Sequence, residues 1–140
     1  ALRKIYEIMN DKGICVLHTI GSILTPQPNA PFIQRYIFPD GEIPHESDMA
    51  KNIEKSGLIM SDRETLIRHY DKTLEAWLKR FLKNKHIVKD LFDQKFVKMW
   101  EFYLASCSAA FKYRDLVVFQ YQLVKNFDAI PSNRRDYIYS

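Results

Sequence analysis

Residues 14–20, ICVLHTI, make a continuous apolar run with β-branched side chains and no polar alternation. A strand with one wet face alternates, so this run reads as a strand buried on both faces of a parallel sheet. The segment before it, LRKIYEIM at residues 2–9, spaces Leu2, Ile5, Ile8 and Met9 as a short helix does, and Asn10, Asp11, Lys12 and Gly13 supply a stop and a turn. A helix feeding a central strand is therefore expected at the start of the chain.

Five of the six prolines fall between Gly21 and Pro44, which excludes any long regular element there. The segment 21–45 is read as a lid, because loops of that length in a compact domain usually cover a site, and Phe32, Ile33, Tyr36, Ile37 and Phe38 offer apolar cover. HESDMAKNIEKSG then predicts a short helix ending at Gly57, and GLIMSD a second strand. Ser61-x-x-Glu64 has the pattern of a capping box, opening a helix with Leu66, Tyr70, Leu74, Trp77 and Phe81 on one stripe. A second long helix is expected over 88–113, with Phe92, Phe96, Trp100, Tyr103, Cys107 and Phe111 on a broad apolar face. LVVFQYQLV, residues 116–124, alternates as a strand exposed on at least one side would. The order is α/β with the strand count of half a sheet, so the chain reads as the second half of a doubly wound domain.

Composition limits the function classes. With 46% hydrophobic and 14% aromatic residues, 140 residues can build one core. No apolar run approaches the roughly 18 residues of a membrane span, and Arg3, Lys4 and Glu7 interrupt any signal-like start, so a soluble, cytoplasmic protein is expected. Cys15 and Cys107 show no metal-ligand spacing, which predicts two free thiols and no metal site. A net charge of +4 favours an anionic contact. Lys79, Arg80, Lys83, Lys85 and Lys89 cluster within it, either as a solvated helix face or as a surface for lipid headgroups. Nucleic acid is disfavoured, because no known binding module is present and most aromatics fall on expected buried faces.

In open α/β sheets ligands bind at the carboxyl ends of strands, which directs attention to His18, Thr19, Ile20 and Gly21. His18 and Ile20 are two apart and point the same way on a strand, and Gly21 frees the backbone to turn. From spacing alone a histidine there is as compatible with structure as with chemistry. Tyr70, on an otherwise apolar stripe, needs a partner for its hydroxyl, and a backbone carbonyl would serve as well as a ligand.

LHTIGS at 17–22, RYIFPDGEIP at 35–44, HYDKTLEAWLKRF at 69–81, MWEFYLASCSAAF at 99–111 and RRDYIY at 134–139 run in order almost from end to end. In these blocks the chain resembles the cyclopropane-fatty-acyl-phospholipid synthases, which are similar to the mycolic acid cyclopropane synthases. Asp40-Gly41 stands where the family usually has Gly-Gly, a change that a turn accepts.

The resemblance implies a class I, Rossmann-like methyltransferase sheet with lipid-binding helices over 62–113. It also implies transfer of a methyl group from S-adenosylmethionine to a cis alkene of an unsaturated phospholipid, after which proton loss closes a cyclopropane ring. The family holds a bicarbonate ion as base, and its ligands carry over to the His18 side chain, the Ile20 amide and the Tyr70 hydroxyl; His18 and Tyr70 are then the catalytic residues. Phe32, Tyr36, Trp77, Trp100, Tyr103 and Cys107 are candidates for the lipid pocket. The family's glycine-rich cofactor loop has no counterpart here, so cofactor binding and activity are expected only with an upstream half, at the inner face of a membrane. A homodimer is compatible with this reading. The alternative is a non-catalytic lipid-surface module left from a split synthase.

Overall fold

The computed structural model describes residues 1–24, 35, 42–113 and 116–139. Its contacts divide into two compact units, Ala1–Thr19 with Pro44–Thr65 and Phe119–Ser140, and Ile20–Ile43 with Leu66–Val118. Among the described residues one sheet forms from β1 (Ile14–Ser22), β2 (Ile59–Leu66) and β3 (Leu116–Val124), in the order β1-β3-β2.

Side-chain pairs give the strand directions. His18 meets Gln120, whereas the earlier Asp11 carbonyl accepts from Asn126 at 3.1 Å. On the other flank Ser61 meets Gln122, and Arg63 lies over the Phe119 ring, 5.4 Å from its centroid. Numbers rise on one strand as they fall on the next, so β3 is antiparallel to both neighbours and β1 runs with β2. The sheet has same-direction members, as expected, but they are not adjacent.

Within the described sheet, half a sheet that leaves an edge uncovered, β3 and not β1 is the strand covered on both faces. β1 lies at an edge of the described sheet and alternates instead of being buried on both faces, with Val16 67% exposed and Ile14 41%. β3, expected to be wet on at least one side, is the central strand, and Val117, Val118, Phe119, Tyr121, Leu123 and Val124 are all buried. Because successive residues point to opposite faces, burial of neighbours means that both faces are covered. Its two glutamines find partners there: Gln122 Nε2 donates to Ser61 Oγ at 2.9 Å and to the Tyr137 hydroxyl at 2.6 Å. The Tyr121 hydroxyl is buried without a hydrogen-bond partner among the described residues, a desolvation cost of about 1–3 kcal/mol.

In the first unit α1 (Leu2–Ile8) packs on α2 (Glu46–Ser56), whose start is capped by His45 Nδ1 accepting from the Ser47 amide at 3.2 Å. Gly57 ends α2 at φ 83°, where a Cβ would also meet the Tyr6 ring at 3.3 Å, so glycine is needed for both conformation and contact.

The second unit holds α3 (His69–Lys83), α4 (Lys85–Leu91) and α5 (Gln94–Tyr113). Ser61 and Glu64 lie inside β2, not at a helix start, and the Ser61 hydroxyl donates to the Gln122 carbonyl at 3.1 Å. The expected helix over 88–113 is two helices broken at Phe92–Asp93, because Asp93 Oδ1 accepts from the Phe96 amide at 2.7 Å and caps a new start. Leu74, Leu104, Phe111 and Val118 are the buried centre of this unit. Each is worth about 1.5–3 kcal/mol of burial, and together they set α3 against α5.

Candidate functional site

The β1 candidates come first. His18 and Ile20 share the outward-facing set of an alternating strand, as their spacing requires. Gln120 Nε2 lies 3.2 Å from His18 Nδ1. The amide and the ring are hydrogen-bond partners, which turns the other ring nitrogen, Nε2, away from Gln120. Sequence reasoning missed Gln120; its signal is a polar residue in an apolar strand, but its partner depends on strand register.

Tyr70 stands in the first turn of α3, immediately after a sharp reversal. Arg68, the residue before that helix, takes φ 61° and ψ 8°, a left-handed conformation uncommon for a side chain of this size. The turn is tied by His69 Nδ1–H donating to the Ile67 carbonyl at 2.8 Å. The Tyr70 ring meets Trp77 edge-on at 5.9 Å and Phe111 at 5.2 Å. Trp100 and Tyr103 pack with ring centroids 5.0 Å apart, and the Tyr103 hydroxyl donates to the Cys107 sulfur. The helical unit thus gathers Tyr70, Trp100, Tyr103 and Cys107 into one largely apolar cluster with a few polar atoms, and the exposed Trp77 meets it through Tyr70. Phe32 and Tyr36 lie outside the described residues, while the two ends of the expected lid 21–45 are regular structure instead: Gly21 and Ser22 finish β1, and His45 caps α2.

Burial pushes the Tyr103 phenol up from 10.0 to about 12, helped by its interactions with Cys107 and then Tyr70. Burial also pushes the Cys107 thiol up, partly offset by the hydrogen bond from Tyr103. Cys107 is therefore a neutral thiol at physiological pH, a packing and hydrogen-bonding group and not a nucleophile. Since the folded phenol holds its proton more tightly than the unfolded one, the stabilisation is complete below pH 10 and lost as pH rises to about 12. Thermal melts across that window should show the wild-type chain losing stability more steeply than Tyr103→Phe; parallel curves would refute the assignment.

No cluster of His, Cys, Asp and Glu among the described residues could hold a metal ion. Neither Gly13 nor Gly57 offers open space for a ligand: at Gly13 a Cβ would meet the Asn10 carbonyl oxygen at 3.0 Å, and beside Gly57 lies the Tyr6 ring. A cleft of about 410 Å³ in the first unit contains Ser61, Asp62, Ser132, Arg134 and Tyr137 but none of the sequence-derived candidates. Its charge is satisfied internally by Arg135 gripping Asp62 through two hydrogen bonds, one of 2.9 Å.

The described sheet, in the order β1-β3-β2 with three helices between β2 and β3 in the chain, has an α/β fold shared with solved cyclopropane synthases. The fold matches the cyclopropane synthase MmaA2 from Mycobacterium tuberculosis with a TM-score of 0.80 at 23% identity, over 87% of this chain and 47% of that one. It matches mycolic acid cyclopropane synthase CmaA1 complexed with SAH and CTAB with a TM-score of 0.79 at 24% identity, over the same shares. The family model for mycolic acid cyclopropane synthetase covers residues 2–121, and the chain belongs to that family. The cyclopropane-fatty-acyl-phospholipid synthase of Escherichia coli is 37% identical over 112 residues, 80% of this chain but 29% of that protein. The chain thus spans less than a third of that curated relative, and the RRDYIY block lies beyond the family match.

Proposed function

We propose that this chain is the lipid-side portion of an S-adenosylmethionine-dependent methyltransferase that builds cyclopropane rings in unsaturated phospholipid acyl chains. The observation that carries this reading is the family match across 2–121, supported by the 37% identity to the Escherichia coli synthase. S-adenosylmethionine supplies the methyl group and bicarbonate the base. Neither Gly13 nor Gly57 offers open space for the cofactor, so its binding is assigned to a part of the protein outside the matched segment.

Within this chain the Nε2–H of His18, the Ile20 amide and the Tyr70 hydroxyl are assigned as donors to the anion. The hydrogen bond to Gln120 suits that role, since a ring oriented before the anion arrives needs no reorganisation. The cluster around Tyr70 and Trp100 is assigned to the acyl chain, because a site for an apolar tail is itself apolar with few polar atoms. The lipid is met at the membrane surface, since among the described residues no helix is long and apolar enough to cross a bilayer.

The test incubates the full-length protein carrying this sequence with methyl-labelled S-adenosylmethionine and vesicles of unsaturated phospholipid. The expected product gains one CH2 and loses its alkene, while the 140-residue chain alone gives none. Label retained as a methyl branch would replace ring formation by simple methylation, and no label in lipid would overturn the reading.

A further inference from the structure

The helical unit carries a surface that the reaction does not use. None of the seven residues of α4 is buried, although Ile87 and Leu91 lie one turn apart on one face, 48% and 72% exposed. Leu82 at the end of α3 and Phe92 in the bend before α5 extend this face at 44% and 56% exposure, and the Phe92 ring is held stacked on Phe96 at 4.4 Å. A seven-residue helix with no buried side chain gains little from burial in this unit, and its apolar face raises the question of what it contacts.

The charges around the face identify the partner. Between residues 79 and 98 stand seven Lys and Arg against two Asp. Lys83, Lys89, Lys95 and Lys98 are exposed and have no ion-pair partner among the described residues, whereas Lys85 is bound to Glu101. Of the two acids, Asp93 is engaged by the Phe96 amide. A second copy of the chain would bring like charge against like, and a nucleic acid would leave Leu91 and Phe92 facing phosphate. An apolar strip with unpaired lysines at 83, 95 and 98 on the flanking segments fits an anionic phospholipid surface, in which short apolar side chains enter the headgroup boundary while ammonium groups meet phosphate.

We propose that α4 and its flanks, with Leu82, Ile87, Leu91 and Phe92 inserted and Lys83, Lys95 and Lys98 on the flanking segments, are the interfacial membrane contact of this protein. The proposal rests on the lipid-substrate reading and names the surface that brings the protein to that substrate. It adds a contact independent of His18 and Tyr70.

Co-sedimentation of the chain with phosphatidylglycerol–phosphatidylcholine vesicles and with phosphatidylcholine vesicles tests it directly. Binding is expected only to the anionic vesicles, and each Lys→Gln change at 83, 95 and 98 should weaken it by about fivefold. Leu91→Asp with Phe92→Asp should weaken it by at least about tenfold, while circular dichroism stays unchanged and the melting temperature falls no further than in Phe92→Ala, which loses the same stack on Phe96. Equal binding to both vesicle types, lysine changes without effect, or an unchanged Leu91/Phe92 variant would each overturn the proposal. Heparin that binds as tightly as the vesicles, with no dependence on Leu91 or Phe92, would show a general polyanion surface instead. No methyl donor enters the assay, so vesicle binding without methyl transfer in the full-length protein sinks the enzymatic reading alone, and methyl transfer that survives the tip variants on vesicles sinks this proposal alone.

Discussion

Alanine at His18 in the full-length protein is expected to lower turnover by about 10²–10³-fold, the usual loss when one fixed donor to a developing or bound anion is removed. His18 is exposed on β1, and its recorded side-chain partner is Gln120, so the substitution should change folding stability by no more than about 0.5 kcal/mol. The loss should therefore appear in kcat, with little change in the apparent affinity for S-adenosylmethionine. Gln120→Leu gives an independent check. Without the amide 3.2 Å from Nδ1 the ring loses its orienting partner, so a smaller loss is expected. Unchanged turnover in His18→Ala, or a loss that tracks the amount of folded protein, would remove His18 from the chemistry.

The residues that proved legible are those whose meaning is local. Gly57 announces the end of α2 because only a residue tolerant of φ 83° closes that turn without strain, and the apolar runs at 14–20 and 116–124 announce strands. What was not legible depends on which strand lies beside which. β3 comes last in the chain yet inserts between β1 and β2, so the run that looked doubly buried is at the edge of the described sheet and the run with two glutamines is at its centre. Gln122 is tolerated there because Ser61 and Tyr137, from distant parts of the chain, satisfy it. The same register turns Ser61 from an expected helix cap into a cross-strand donor, and Asp93 breaks the long helix by capping a second one. At the site, His18, Ile20 and Tyr70 were assigned through family-like blocks, whereas Gln120 required knowing which strands are neighbours. The exposed tip at Leu91 and Phe92 was hidden by a periodicity that runs smoothly through the helix break.

The covering of β3 on both faces makes the second large prediction, because burial and not hydrophobicity decides what a core substitution costs. Phe119 is 0% exposed on the central strand, packs 5.5 Å from Tyr121 and lies beneath the Arg63 guanidinium. Replacing it with alanine removes most of a ring from a site enclosed on both sides, at a cost of about 3–5 kcal/mol. Against the roughly 5–15 kcal/mol that holds a domain together, that is enough to leave the chain largely unfolded at physiological temperature if its stability sits at the lower end. Val16→Thr on β1 should shift the unfolding free energy of this chain by only about 0.5 kcal/mol, since that side chain is already 67% exposed. Urea denaturation of the two variants separates the arrangements: a doubly buried β1 would make Val16 expensive and an edge-like β3 would make Phe119 tolerant, so finding the costs reversed would refute the strand order β1-β3-β2.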